Sequence, residues 1–214
     1  MLIGKEDLRM PELVHYFDYK SPYAYLAQGP TDALERHYEI TVTRVPYTLD
    51  IPGFLGTARL DAAGQDTVGT RSAHQWRRVR YSYMDCRREA NRRGLTIRGP
   101  QKIWDSALAH LGFLYASEQQ NFRAYHALVY ERFWRRDLDI EDLAVITAVL
   151  REAGVEVTNF EEFVAGRGTE LLRTLQLQAE NSGVFGVPSW RLDGELFWGS
   201  ERMPLIEEAL KRSR

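Results

Sequence analysis

The spacing of hydrophobic positions changes along the chain, and it predicts strands toward both ends. Short runs rich in aromatic and β-branched residues at 13–19 and 40–45 predict two strands. Apolar residues at helical spacing over 23–37 predict a helix between them, which gives a right-handed strand–helix–strand unit with parallel strands. Toward the other end, residues 187–198 predict a hairpin, since Asp193-Gly194 is a strong signal for a tight turn.

Between these two parts the hydrophobic period is helical. The pattern predicts helices at 72–93, 102–117, 121–134, 140–153 and 167–181, and a last helix that begins near Glu201. Either Asp137 or Asp139 is expected to cap the helix that begins at residue 140. Residues 46–71 fit no regular element because prolines and glycines punctuate them. A loop of this length inside a compact domain is usually functional or partly disordered.

The junction between the first strand and the first helix is a candidate site. Ser21 is a favoured N-cap residue, and Pro22 suits the first helical position, where no backbone N–H is needed. Free N–H groups and the helix dipole make such a terminus attractive to an anion. Residues 21–24 contain no cysteine, so a Cys-x-x-Cys centre for disulfide exchange is not indicated. From the residues alone, Ser21 is either a cap only or a cap that also donates a hydrogen bond to a ligand.

A second candidate site is the turn at 183–188 together with the start of the last helix. A cis peptide bond before Pro188 would present the backbone of Val187 as an open strand edge that can pair with an extended peptide. An ordinary trans proline at a strand start is the alternative. Ser200 and the helix N–H groups suit a carboxylate, and Glu201 suits an ammonium group. A capped helix without any ligand is the simpler interpretation of that start.

Three groups of residues resemble one known family. They are Phe17-Asp18-Tyr19-Lys20-Ser21-Pro22-Tyr23-Ala24-Tyr25-Leu26-Ala27, then Gly183-Val184-Phe185-Gly186-Val187-Pro188 with Gly199-Ser200-Glu201-Arg202, and the weaker trace Arg78, Tyr81, Asp85, Arg88 and Gly94. They are similar to the motifs of the 2-hydroxychromene-2-carboxylate isomerase family, which groups with kappa-class glutathione transferases in the DsbA-like thioredoxin superfamily. The resemblance spans essentially residues 12–210, with Arg78 in place of the usual lysine.

The resemblance implies an α/β chain: a thioredoxin-like fold with an inserted α-helical subdomain, as in DsbA and kappa-class glutathione transferases. The thioredoxin-like domain is expected to be discontinuous, over 12–70 and 182–214. The helical insertion is expected over 71–181, with its last helix packed on the thioredoxin sheet.

The resemblance also implies a glutathione-dependent cis–trans isomerase. Ser21 would stabilise the glutathione thiolate for reversible addition to a conjugated aromatic keto acid. The expected glutathione-binding residues are Val187, Pro188, Ser200 and Glu201, and the expected substrate-binding residues are Arg78, Tyr23, Tyr81 and Trp198. A kappa-type glutathione transferase or peroxidase and a non-catalytic thioredoxin-like binding module remain alternatives. In the family the 46–71 loop carries an Asn before a Pro-rich stretch, and residues 64–67 of this chain depart from that pattern.

Composition adds several exclusions. A net charge of −2 over 214 residues argues against a general nucleic-acid binder. No run approaches the ~18–20 apolar residues that a membrane span needs, and residues 1–7 lack the pattern of a secretion signal. The five histidines never fall at ligand spacing, so no metal site is expected. A cytoplasmic protein is predicted, and a homodimer is a further expectation by family analogy.

The single cysteine, Cys86, lies in the arginine-rich helix predicted at 72–93. One cysteine forms no internal disulfide, and Cys86 is expected to be a packed or half-exposed residue rather than a reactive thiol. The arginines spread around this helix, so a solvated surface is expected rather than a phosphate site. Asp85 is expected to pair with Arg88 or a neighbouring arginine rather than to act as a base.

Overall fold

The computed structural model describes residues 12–212 and contains a mixed sheet. The strands are β1 (Leu13–Phe17), β2 (Val42–Pro46), β3 (Ser189–Leu192) and β4 (Glu195–Trp198). Within the described residues they form one sheet in the order β2-β1-β3-β4. β1 runs parallel to β2 and antiparallel to β3, and β4 is antiparallel to β3. The expectations for residues 1–7 and for 213–214, the end of the 182–214 segment, lie outside the described residues.

Helices cover much of the chain between β2 and β3. The helices are α1 (Pro22–Tyr38), α2 (Ile51–Leu55), α3 (Ala73–Arg92), α4 (Ala107–Glu118), α5 (Phe122–Arg135), α6 (Leu143–Glu152), α7 (Phe160–Ala165), α8 (Arg167–Asn181) and α9 (Met203–Arg212), the last preceded by a 3₁₀ helix at Ser200–Arg202. The strand–helix–strand unit and the hairpin that the sequence predicts are confirmed. Asp193 and Gly194 both have positive φ, as the tight hairpin turn requires.

Some predicted bounds and one predicted cap are wrong. Neither Asp137 nor Asp139 caps α6, because its N-cap is Asp142, whose side chain accepts from the Val145 N–H at 3.0 Å. Buried Ile140 extended the apparent helical period, although it lies in the turn before α6.

Three further differences concern the regions on either side of α3 and the stretch before α8. The helix predicted at 102–117 begins only at Ala107, because Lys102 is drawn into a β-bridge with Arg59. α2 lies in the stretch predicted as a loop over 46–71. α7 was not predicted.

β1 is central in the sheet and packs on both sides. The ring centroid of Phe17 lies 4.9 Å from that of Phe113 of α4 and 4.4 Å from that of His126 of α5, so the end of β1 rests on helices that lie between β2 and β3 in the chain. A second buried cluster joins the start of β1 to α1 and α9, and it includes Leu13 and Trp190. α8 contacts β2, while α4 contacts α5, α6, α7 and α8. Within residues 12–212 no helix is long and apolar enough to cross a membrane.

Candidate active site

Ser21 lies at the N-terminus of α1, directly after the loop that follows β1. Its Oγ accepts a hydrogen bond from the Ala24 N–H at 3.2 Å, and its own N–H donates to the Asp18 carbonyl at 3.1 Å. Pro22 is the first helical residue. The hydroxyl hydrogen of Ser21 remains free to donate, because the capping bond uses only an oxygen lone pair. Ser21 therefore places a hydroxyl donor at the N-terminus of α1, where the helix dipole is positive.

The turn before β3 lies at the same end of the sheet. The Val187–Pro188 peptide bond is cis. Tyr16 of β1 pairs with Ser189 of antiparallel β3, so the chain leaves β1 toward Ser21 where it enters β3 from Pro188. Within residues 12–212, neither the backbone N–H nor the backbone C=O of Val187 has a hydrogen-bond partner. These two groups are available to an extended ligand.

The 3₁₀ helix that begins at Ser200 follows β4 at this end of the sheet. The Gly199 N–H donates to the Pro188 carbonyl at 3.0 Å, which ties the helix start to the cis-proline turn. Gly199 has φ of 93°, a left-handed backbone conformation that favours glycine at this position. The Ser200 Oγ is inaccessible to solvent and has no hydrogen-bond partner in the described part of the chain.

A buried carboxylate lies between β1 and the α1 cap. Asp18 accepts hydrogen bonds from the Leu49 N–H at 2.8 Å and from the Lys20 N–H at 3.1 Å. The Lys20 ammonium lies 3.4 Å from Asp18 Oδ2, and His110 Nε2 lies 3.4 Å from Asp18 Oδ1. Burial by itself raises the pKa of the Asp18 carboxyl, but these contacts outweigh burial and hold the pKa below its usual value. Asp18 is therefore ionised inside the protein, with Lys20 as its counter-charge.

Tyr23 ties the start of α1 to α3. Its hydroxyl donates to Asp85 Oδ2 at 3.2 Å, and the Arg88 guanidinium lies 3.6 Å from the other oxygen of Asp85. The predicted Asp85–Arg88 pair is confirmed. Cys86 is fully buried beside them, and burial raises the pKa of its thiol to about 12. This burial confirms the prediction that Cys86 is a packed residue. A thiol of that pKa is protonated and inert near neutrality.

Residues 12–211 match the family model of the DSBA-like thioredoxin domain. The chain belongs to this family. It is similar to the 2-hydroxychromene-2-carboxylate isomerase of Sphingobium xenophagum, with 29% identity over 202 residues that cover 91% of this chain and 95% of that protein. The predicted family resemblance and the predicted fold class are thereby confirmed.

Solved structures share this DSBA-like fold. A 2-hydroxychromene-2-carboxylate isomerase superposes with a TM-score of 0.70 at 23% identity, covering 94% of each chain. A probable DsbA oxidoreductase from Streptomyces coelicolor superposes with a TM-score of 0.76 at 17% identity, covering 95% of this chain and 89% of that one. Oxidoreductases that exchange disulfides need a reactive thiol, whereas this DSBA-like chain has Ser21 at the start of α1 and its single cysteine buried in α3.

The predicted site residues fall into two groups in this DSBA-like structure. Ser21, Val187, Pro188, Ser200 and Glu201 lie at the end of the sheet where β1 ends and β3 begins. This juxtaposition is what a ligand site requires, and each residue's role stays a prediction.

The predicted substrate-binding residues are more dispersed. Trp198 is 51% exposed and its ring centroid lies 5.0 Å from that of Phe185, itself 62% exposed. Arg78 and Tyr81 are exposed on α3, and in the described residues neither has a hydrogen bond or ion pair with the residues around Ser21. Tyr23 is half-buried, with its hydroxyl engaged by Asp85. Of the predicted substrate-binding residues, Trp198 is the closest along the chain to Ser200, where a hydrogen bond from Gly199 to Pro188 joins the start of the 3₁₀ helix to the cis-proline turn.

Sequence reasoning missed Asp18, Thr48 and His110 as parts of this region. Asp18 lies within the N-terminal motif, but no sequence pattern shows that its side chain is buried. His110 interrupts an apolar stretch of α4, and a polar residue in such a stretch is a signal for a buried polar contact. No group of three or more metal-ligating side chains is found within residues 12–212.

Proposed function

We propose that this protein is a glutathione-dependent cis–trans isomerase that acts on a conjugated aromatic keto acid. The isomerase part of the proposal is supported by its relatives, which are named 2-hydroxychromene-2-carboxylate isomerase. The observation that carries the proposal is Ser21 at the N-terminus of α1, opposite the cis-proline turn. A hydroxyl cannot exchange disulfides, but it can donate a hydrogen bond to a sulfur atom of a ligand. The nucleophilic sulfur would therefore come from a bound thiol and not from the chain.

The residues at this end of the sheet fit a tripeptide thiol. The unpaired N–H and C=O of Val187 can pair with the backbone of its cysteinyl residue. The partnerless hydroxyl of Ser200 and the nearby helix N–H groups suit a carboxylate, and the exposed carboxylate of Glu201 suits an ammonium group. The γ-glutamyl end of glutathione carries both of these charged groups. When bound, glutathione would supply a thiolate able to add reversibly to a conjugated double bond.

Each chain group then has a defined task. Ser21 Oγ–H donates to the sulfur, and the N-terminus of α1 supplies positive potential, which together favour the thiolate over the thiol. Exposed Trp198 and Phe185 offer aromatic faces to a planar substrate ring. Tyr23 keeps α3 against α1 through Asp85 and so fixes one side of the Ser21 region.

A glutathione titration of wild type, Ser21→Ala and Ser72→Ala tests the proposal. Calorimetry gives the affinity, and thiolate absorbance near ~240 nm, followed against pH, gives the pKa of the bound thiol. Ser72 is the matched control because it also caps a helix, accepting from the Gln75 N–H at 3.2 Å on the exposed start of α3. We expect a lowered thiol pKa in wild type and Ser72→Ala, and a pKa near that of free glutathione in Ser21→Ala.

Product analysis separates the proposed activity from its alternatives. With a conjugated aromatic keto acid as probe, an isomerase returns a product of unchanged mass and consumes no glutathione. A glutathione transferase leaves a conjugate that contains glutathione. Absence of binding at millimolar glutathione would overturn the proposal and favour a non-catalytic module that holds a peptide at the Val187 edge.

A further inference from the structure

Two helices that lie between β2 and β3 in the chain hold Thr48, the second residue after β2, through three hydrogen bonds. Gln176 of α8 accepts from the Thr48 N–H at 2.9 Å and donates to its carbonyl at 3.4 Å. His110 of α4 completes the contact, with Nδ1 at 3.0 Å from Thr48 Oγ1. A loop residue that meets the insertion through its N–H, its C=O and its hydroxyl has little freedom to move.

His110 also reaches the loop that carries Ser21. Its Nε2 lies 3.4 Å from Asp18 Oδ1, which is long for a hydrogen bond but close enough for an N–H dipole to face the buried carboxylate. Because ionised Asp18 can only accept, we assign the hydrogen of a neutral His110 to Nε2, and Nδ1 then accepts from the Thr48 hydroxyl. The imidazole thus bridges the segment after β2 and the segment after β1.

Two backbone bonds run alongside this bridge. The Leu49 N–H donates to Asp18 Oδ2 at 2.8 Å, and the Tyr47 N–H donates to the Phe17 carbonyl at 2.8 Å. The Asp18 carbonyl in turn accepts from the Ser21 N–H. Residues 47–49 are therefore fixed against the residues that lead into the α1 cap.

We propose that His110 is a positioning residue that acts through Thr48: it fixes residues 47–49 as one wall of the thiol site next to Ser21. This inference rests on the proposed function for the identity of the ligand. His110 sets how tightly the thiol ligand binds, and it leaves the pKa of the bound thiol unchanged, because Ser21 and the α1 terminus keep their own contacts.

Two substitutions of His110 separate its two contacts. His110→Gln places an amide near the former Nε2, so it keeps a donor toward Asp18 and loses the contact with Thr48. His110→Asn places an amide near the former Nδ1 and has the opposite effect. Thr48→Val removes the hydroxyl with little change of shape. Thr147→Val is the matched control, because the Thr147 hydroxyl donates at 2.6 Å to the Leu143 carbonyl within α6, outside the proposed site.

The test measures amide hydrogen exchange at residues 47–49, whose N–H groups all donate hydrogen bonds, together with glutathione affinity and the pKa of the bound thiol. We expect His110→Gln and Thr48→Val each to speed exchange at 47–49. Each should also weaken glutathione binding by about tenfold, because the ligand must then reorder the loosened segment at a cost of about one buried hydrogen bond. The pKa of the bound thiol should stay at the wild-type value in both. The double variant should lose no more than either single variant, and His110→Asn and Thr147→Val should show smaller changes at 47–49.

Two results would overturn the positioning role. One is unchanged exchange at 47–49 in His110→Gln, and the other is full additivity of His110→Gln and Thr48→Val. A shifted thiol pKa in these variants would instead place His110 in direct control of the thiolate, against the proposal. If wild type itself binds no glutathione, the proposed function and the affinity part of this inference fail, while the exchange data still decide whether His110 holds the loop.

Discussion

The two sides of the candidate site are built differently. On the β1 side, Asp18 is buried, ionised and surrounded by donors, and Ser21 is fixed by hydrogen bonds of its hydroxyl and its N–H. On the β3 side, the backbone of Val187 and the hydroxyl of Ser200 lack partners within residues 12–212, and the aromatic ring of Trp198 is exposed. On the first side the Asp18 carboxylate finds its partners within the chain, whereas Val187 and Ser200 on the second side lack partners for their polar groups.

This difference indicates how the work of the site is divided. Buried polar groups without partners are rare in folded proteins because each costs about 1–3 kcal/mol. Such groups clustered beside an open strand edge are expected where a ligand supplies the missing partners. The β1 side would hold the reacting atom in place, and the β3 side would provide the binding energy.

The largest effect on stability is expected from Asp18→Asn. Removing the carboxylate leaves the Lys20 ammonium buried without a counter-charge, which costs on the order of 3–5 kcal/mol. Urea denaturation measures the loss. Glu170→Gln is the control, since it breaks an exposed pair with Arg173 that solvent screens and should change stability little. A similar small loss in both variants would show that the β1 side does not depend on its ion pair.

His15 tests the β1 side through pH. Burial, with a contribution from Arg44, lowers the pKa of His15 to about 3, and both ring nitrogens lack hydrogen-bond partners within residues 12–212. The unfolded chain binds a proton near pH 6.5 and the folded chain does not, so stability falls as pH drops from 6.5 toward 3. The slope from this group is about 1.4 kcal/mol per pH unit.

The variant His15→Phe isolates that contribution. Phenylalanine can keep the stacked contact with Trp190, where the ring centroids are 4.9 Å apart, but it has no proton to bind. His126 also has a pKa lowered by burial, so some acid sensitivity should remain. Denaturation curves measured between pH 7 and pH 4 give the free energy of unfolding at each pH. The slope of that free energy against pH should fall by the equivalent of about one proton in His15→Phe. Identical slopes for both proteins would contradict the assignment.

Ser21→Ala and Ser200→Ala compare the two sides directly. Ser21→Ala removes a helix cap and should cost about 1 kcal/mol of stability without ligand. Ser200→Ala removes a hydroxyl that has no partner, so stability without ligand should be unchanged or slightly higher. Both variants should weaken glutathione binding, and only Ser21→Ala should raise the pKa of the bound thiol. Equal loss of stability in the two variants would erase the distinction between the sides.

A small effect on stability is expected from Trp198→Ala. The ring is half exposed, and its main aromatic contact is Phe185, so the folded state should lose less than about 1 kcal/mol. The KM for an aromatic acid substrate should nevertheless rise several-fold. Leu205→Ala on α9 is the control, because it truncates a side chain of similar exposure outside the site. An unchanged KM in Trp198→Ala would contradict the prediction that Trp198 contacts the substrate ring.

Much of this fold is readable from the sequence because its signals are local. Ser21-Pro22 marks the start of α1 by its capping chemistry, and Asp193-Gly194 marks the hairpin by its turn chemistry. The match to the DSBA-like family model agrees with the motifs at both ends of the chain. Ser21 was identified as a candidate for the same reason, since a helix start can be read from neighbouring residues.

The contacts around Asp18 and Thr48 could not be predicted, because they join residues far apart in the chain. His110 meets Thr48 across 62 positions, and Gln176 meets Thr48 across 128 positions. Short-range periodicity carries no information about such pairs. The cap of α6 failed for a related reason: burial of Ile140 imitated helical periodicity one turn too early.

The buried thiol of Cys86 has a practical consequence for spectroscopy and labelling. Since the only sulfhydryl of the chain is fully buried and its pKa is raised to about 12, the native protein should be silent toward thiol-directed reagents near neutral pH. Any thiolate signal in a mixture with glutathione then belongs to the tripeptide. The same cysteine becomes reactive when unfolding exposes it, so its rate of alkylation measures how often α3 unfolds.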